Sequence, residues 1–204
     1  KRYTLYDFMP EINASRVTIF VGAHNKFTPE LERAVDEFCS KYNGIVLCDQ
    51  TSNYKGQYRM LGGLVGGQRD YYPNCRKSEL TIHIGEITGS YYIIKNTDIW
   101  RVSEDGEVRD PFRLLKKVFQ MREFDFFDYY NKKKAETIEN TIWGEWKEEQ
   151  ERLNNMLPEI PFSNVWLCQQ TAYKLPEKSV LHLAILNSLR SWNLFDVPKS
   201  VYSY

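Results

Sequence analysis

Arg16-Val-Thr-Ile-Phe-Val-Gly22, then Thr28-Pro-Glu-Leu-Glu-Arg-Ala-Val35, then Ile45-Val-Leu-Cys48 is the stretch on which the fold turns. In the first segment only Thr18 interrupts an apolar run, which predicts a mostly buried strand closed by Gly22. Thr28-Pro29-Glu30 supplies a hydroxyl N-cap, a proline at the first helical position and an acid in the first turn. Leu31, Ala34, Val35, Phe38 and Cys39 recur at helical spacing, and Asn43-Gly44 ends the helix. A second apolar strand follows at once. Strand, helix, strand in so short a span is a βαβ unit, which implies parallel strands.

The pattern extends outward. Glu79–Ile84, ending at Gly85, predicts a third strand and Asp98–Val102 a fourth. Asp110-Pro111 opens a predicted helix with Phe112, Leu115, Val118 and Phe119 on one face. One more strand or helix is expected between Leu61 and Pro73. The sum is an open, mostly parallel doubly wound α/β (Rossmann-like) sheet with flanking helices, over roughly residues 10–122 on this pattern. Beyond it, Phe124–Tyr130 is an aromatic cluster expected to pack against another domain. A charged helix is predicted over Ala135–Leu157, and Ser163 is expected to cap a further helix that stops near Pro176. Val180–Leu186 reads as a fifth strand and Val201–Tyr204 as a last one. A strand that ends the chain after so little structure cannot build a core alone, so residues 161–204 are expected to begin a further domain, the chain being a fragment.

Composition excludes several functions. The 204 residues carry 27 Lys+Arg against 27 Asp+Glu, a formal net charge of zero. That leaves no clustered positive excess to drive nucleic-acid or anionic-membrane binding. Mean hydropathy is −0.54, yet aromatics at 15% can fill a core. No apolar run approaches the ~20 residues of a membrane span. Cys39, Cys48, Cys75 and Cys168 show no C-x-x-C spacing, which disfavours structural zinc and points to reduced thiols in a cytoplasmic protein.

The chemical motifs are sparse. Gly22-Ala-His-Asn-Lys26 sits where open α/β sheets bind ligands, but it lacks the further glycines of a dinucleotide fingerprint; His24 reads as an exposed turn residue. Gly62-Gly-Leu-Val-Gly-Gly67 with Arg69 fails the Walker pattern, and a mobile loop is a stronger reading of it than an anion nest. No nucleophile–base set is legible, so no catalytic residue and no metal ligand is assigned. His83 and His182 read as hydrogen-bonded core or sheet-face residues, and Glu79, Glu86 and Asp98 as solvated strand-edge acids.

Taken together, Val17–Gly22, Thr28–Val35, Ile45–Asp49, Ile82-His-Ile-Gly-Glu-Ile-Thr-Gly89, Ile99–Val102 with Asp105-Gly106 and Arg109-Asp-Pro111, and Leu175-Pro-Glu followed by Val180–Leu186 and Asn187-Ser188 form an order that resembles the central domain of thiamine-diphosphate enzymes. The likeness is strongest to the 2-succinyl-5-enolpyruvyl-6-hydroxy-3-cyclohexene-1-carboxylate synthase family of menaquinone biosynthesis. It implies a central Rossmann-like domain over 1–134, a helical linker over 135–160 and the start of a truncated cofactor domain over 161–204. It implies cofactor-binding roles for Asn187 and Ser188 and a substrate-binding role for Arg190. Two positions depart from the family: Trp192 stands where an arginine is usual, and Ser90 where a lysine is. Thiamine diphosphate and Mg2+ are implied for the whole parent enzyme, with none expected on this fragment. The implied partners are the missing N- and C-terminal domains and further copies in a homo-oligomer. The departures leave an acetolactate synthase-like parent as an alternative, and the Gly22 and Gly62–Gly67 turns leave a free-standing nucleotide- or FAD-binding module.

Overall fold

The computed structural model describes residues 1–86 and 88–204; Ile87, inside the Gly85–Thr88 turn of the resemblance, lies outside the described residues. In chain order the regular elements are β1 (Arg2–Tyr3), β2 (Val17–Val21), α1 (Pro29–Lys41), β3 (Gly44–Cys48), β4 (Arg59–Leu61), α2 (Gly63–Gly66), β5 (Leu80–Ile84), β6 (Asp98–Ser103), β7 (Leu115–Gln120), α3 (Glu123–Lys133), α4 (Thr141–Asn155), α5 (Asn164–Thr171), β8 (Val180–Leu181), α6 (Asn187–Trp192) and β9 (Tyr202–Ser203).

Seven strands form one sheet in the order β1-β7-β6-β5-β2-β3-β4, and every pairing in it is parallel. Counted from β2, the six strands after β1 follow the doubly wound order, with the direction of winding reversing between β2 and β5. The expected fold class is therefore the observed one. Alternation along the strands divides the core into two layers. Ile19, Val21, Val46 and Ile82 face α1 and α3 with Val35, Phe38, Phe126 and Phe127. Phe20, Ile45, Leu47 and Ile99 face the other way, onto Ile142 and Trp146 of α4. Phe38 is fully buried, a contribution of about 1.5–3 kcal/mol for such a side chain.

Several expectations are corrected. The helix placed after Asp110-Pro111 is a turn followed by β7. Arg113 takes a positive φ of 59°, and the Asp110 carboxylate accepts from the Leu114 and Leu115 amides, so the chain is turned rather than coiled. The charged helix begins at Thr141, not Ala135. Before it, Ile138 N–H donates to Ser40, while the Asn140 amide donates to Cys39 and Gly44 and its oxygen caps Trp143. The aromatic run 124–130 packs inside its own unit, as α3 against α1 and the sheet. Gly62–Gly67 is not a mobile loop. It forms the buried turn α2, where a side chain at Gly66 would fall 2.5 Å from Ile93. Of Val180–Leu186 only the first two residues are strand, paired in parallel with β9; His182 is exposed.

The α5–β9 region has its own small core of Ala172, Val197 and Val201. It is fastened to the sheet by buried amide side chains. The Gln50 backbone N–H donates to Asn193 Oδ1, and the Gln50 amide to the Trp192 and Phe195 carbonyls. Asn53 and Ser203 exchange a pair of bonds.

Candidate functional site

Ligands of open α/β sheets lie beyond the carboxyl ends of the strands at the point of reversed winding. Here that point holds a cleft of about 920 Å3. Its walls come from the turn after β2, the start of α1, the turn after β5, the end of β6 and the start of α3. The floor between β2 and β5 is closed by the chain itself. Gly22 N–H donates to Ile84 and Glu86 N–H to Ala23, and a Cβ on Gly22 would sit 1.5 Å from the Glu86 carbonyl. Gly22 is thus required for close approach of the chain's own backbone, in the place where a dinucleotide site admits pyrophosphate. Gly85, at a φ of +71°, makes the turn.

His24 is not the exposed turn residue expected. Its Nε2 lies 2.8 Å from Glu123 Oε2 and its Nδ1 2.7 Å from the Asn25 carbonyl. Its backbone is held too, with N–H donating to Thr51 and the carbonyl accepting from Asn53. Burial pulls the imidazolium down, but the Glu123 hydrogen bond and charge outweigh it, and the net pKa is raised. The other Glu123 oxygen accepts from Gly85 N–H.

Beneath the cleft lies the least expected group. Arg101, between Trp100 and Val102 in β6, is fully buried. Its Nη1 donates to the Gly85 carbonyl at 3.2 Å and faces His83 Nδ1 at 3.3 Å. Its Nε and Nη2 are buried with no hydrogen-bond partner among the described residues. Burial, and then the Arg101 charge, push the His83 pKa down to about 3. His83 is therefore neutral and can accept from the guanidinium. It is the hydrogen-bonded core residue that the sequence suggested. Arg109 binds Glu86, Asp105 and Glu107 at the rim. The sequence reading missed Arg101; its one available signal was a charge inside the apolar Ile99–Val102 stretch of β6.

Asn187, Ser188 and Arg190 lie elsewhere, on α6. Asn187 and Arg190 are exposed and Ser188 is half-buried. Leu186, just before them, takes a positive φ of 77°, a strained value for a branched side chain. The structure sets α6 on the turn that carries Ser90. Asn193, next to Trp192, donates from Nδ2 to Ser90 Oγ at 2.9 Å, and a Cβ on Gly89 would touch Leu189. The segment carrying Trp192 thus meets Ser90 through Asn193, while Asn187, Ser188 and Arg190 are not brought into the switch-point cleft.

Among the described residues no group of three or more His, Cys, Asp or Glu is placed to hold a metal ion, and no helix is long and apolar enough to cross a membrane. All four cysteines are free and buried, with burial pushing the Cys48 and Cys75 thiols up to about 12, which makes them poor nucleophiles. No protein-family model matches the chain, and no curated protein matches it.

Proposed function

We propose that this chain is the central scaffold domain, with the opening elements of the cofactor domain, of a thiamine-diphosphate-dependent enzyme acting on 2-oxo acids. One observation carries the reading. Ser90, one of the two positions at which the sequence departs from the family, accepts a hydrogen bond from Asn193, the chain neighbour of the other, Trp192, which itself packs on the Ala172–Val197–Val201 cluster. Departures on two segments that meet in this way are what a changed substrate pocket would leave. The doubly wound sheet supports the same reading, since a rigid layer of this kind is a suitable spacer between catalytic domains.

The residues present do not by themselves fit the cofactor. Asn187, Ser188 and Arg190 offer an amide, a hydroxyl and a guanidinium on an open surface, with no cluster of metal ligands among the described residues to pair with a diphosphate. We therefore derive no step through it. In the whole enzyme the cofactor supplies the electron sink for decarboxylation. The part of this chain is to hold the Asn187–Ser188 start of α6 at a fixed height over the sheet, through Gln50 and Asn193, with Asn53 fastening β9 alongside. Arg190 projects beside Tyr92, whose phenol feels its charge, and remains as the cation for a carboxylate substrate.

The test uses the protein with everything its gene encodes on either side. It is expected to release CO2 from a 2-oxo acid only with thiamine diphosphate and Mg2+ present. Ser188→Ala is expected to slow turnover roughly 2- to 10-fold, the cost of one neutral hydrogen bond. Absence of cofactor-dependent decarboxylation across 2-oxoglutarate, pyruvate and their homologues rejects the reading, as does tight calorimetric binding of the cofactor by these 204 residues alone. The Ser90 and Trp192 departures also favour an acetolactate synthase-like parent, because loss of two cations weakens recognition of an anionic acceptor. Efficient use of isochorismate with 2-oxoglutarate would exclude that variant.

A further inference from the structure

We propose that the switch-point cleft is a binding site for a small monocarboxylate, gripped two-handed by the free edge of Arg101, with the rest of the ligand neutral or cationic. The proposal does not depend on the thiamine-diphosphate reading. Two of the chain's other arginines show what that edge can hold, while Arg16 grips Glu145 through the alternative Nη1–Nη2 pair. Arg122 holds both oxygens of Asp125 through Nε and Nη2, each at 2.7 Å. Arg152 holds Glu149 through the same two nitrogens, at 2.9 and 2.8 Å. This is the side of a guanidinium that matches a carboxylate bidentately. In Arg101 the Nε and Nη2 atoms are the two left without a partner, in a residue fully buried at the base of the cleft.

The opposite nitrogen is spent on keeping that edge in place. Nη1 is held between the Gly85 carbonyl and the neutral His83 ring, and the His83 ring packs edge-on against Phe112. Leaving two charged donors buried and unmatched is costly, and a carboxylate would satisfy both at once. The mouth of the cleft restricts what the rest of the ligand can be. Glu30, Glu86, Glu104, Asp105 and Glu123 line it against His24 and Arg122. Glu123 is matched by His24, and Glu86 and Asp105 by Arg109, which leaves Glu30 and Glu104 to face a ligand. A second negative charge would meet these acids, so dicarboxylates and nucleoside diphosphates are disfavoured. An ammonium or a short neutral chain against Leu31 and Phe124 is accommodated. Both nitrogens are closed to solvent; entry requires movement of a rim group such as the exposed Glu86 side chain, whose pairing with Arg109 is cheap to break.

Nitrogen–proton correlation NMR on the full-length protein tests this, following the Arg101 Nε–Hε signal and the His24 and Gly85 amides. Acetate and glycine are the probes, with succinate, ADP and chloride at matched ionic strength as comparisons. Saturable shifts with acetate and glycine, weaker with succinate and ADP and absent with chloride, are expected. Arg101→Lys should weaken binding by roughly tenfold or more, read on the two amides, because lysine cannot form the bidentate pair. Glu86→Gln, on the exposed rim, should tighten it roughly 2- to 5-fold; this variant keeps the test valid if Arg101→Lys fails to fold. No saturable shift with either probe, equal shifts with chloride, tighter binding of ADP than of acetate, or no gain in Glu86→Gln would each overturn the assignment.

Discussion

At the scale of single residues, the His83–Arg101 contact sets a pH dependence whose sign can be worked out. His83 is held down to about 3 in the fold, by burial first and then by Arg101. Unfolded, it takes a proton near its ordinary value of 6.5. Between those values the unfolded chain binds a proton that the folded chain refuses, so acidification destabilises by about 1.4 kcal/mol per pH unit from this group. His24 acts oppositely. Its raised pKa means its stabilisation is complete below 6.5 and is lost as pH rises through the folded value. Urea midpoints measured from pH 7 to pH 4 should therefore fall, and fall less steeply in His83→Asn, which can still accept from Arg101. An unchanged slope in that variant would remove His83 as the source. Of the residues in the cleft, Gly22 and His24 were visible in the sequence because they punctuate a strand end. Arg101 was not, because nothing in Trp100-Arg-Val102 reveals that its neighbours satisfy only one nitrogen.

Among elements, legibility followed burial. The central strands β2 and β3 are covered on both faces, so they read as apolar runs broken only by Thr18 and bounded by glycine or a turn. In β5, leucine and isoleucines alternate with Thr81 and His83 before Gly85. The outer strands do not read this way. In β7, Lys116 and Lys117 interrupt the alternation. Phe112, Leu115 and Phe119 are meanwhile spaced as on a helix, and tertiary pairing with β6 and β1 overrides that spacing. α1 was legible to its cap. Thr28 Oγ1 accepts from Leu31 N–H at 3.2 Å, as its position before Pro29 suggested. Thr28→Ala should cost about 1 kcal/mol of unfolding free energy in chemical denaturation, while Thr28→Ser should cost much less. Equal losses in the two variants would place the effect outside the cap.

On the scale of the whole molecule, a large two-layered core adjoins a small lobe with few buried apolar side chains of its own. The lobe depends on polar fastening, and Asn193 is its centre, receiving from Gln50 and donating to Ser90. Asn193→Leu should leave the sheet intact and free the lobe, since both partners lose their bonds. Limited proteolysis should then cut within residues 161–204 well before the rest, and far-UV dichroism should change little. Simultaneous loss of both parts would mean that the two unfold as one unit. The location of this seam was beyond sequence reading, because glutamines and asparagines that bridge distant segments carry no periodicity. One consequence of the all-parallel sheet concerns how the chain comes to exist at all. No two of its seven strands can meet through a hairpin, so pairing begins only after long closures have been made. β2 acquires its second neighbour when Ile84 has been synthesised, and Arg2–Tyr3, the first of these seven strands in chain order, waits for Val118 and Phe119. Until then its backbone is unclaimed, and the emerging polypeptide is exposed to mispairing with its neighbours at that strand for longest.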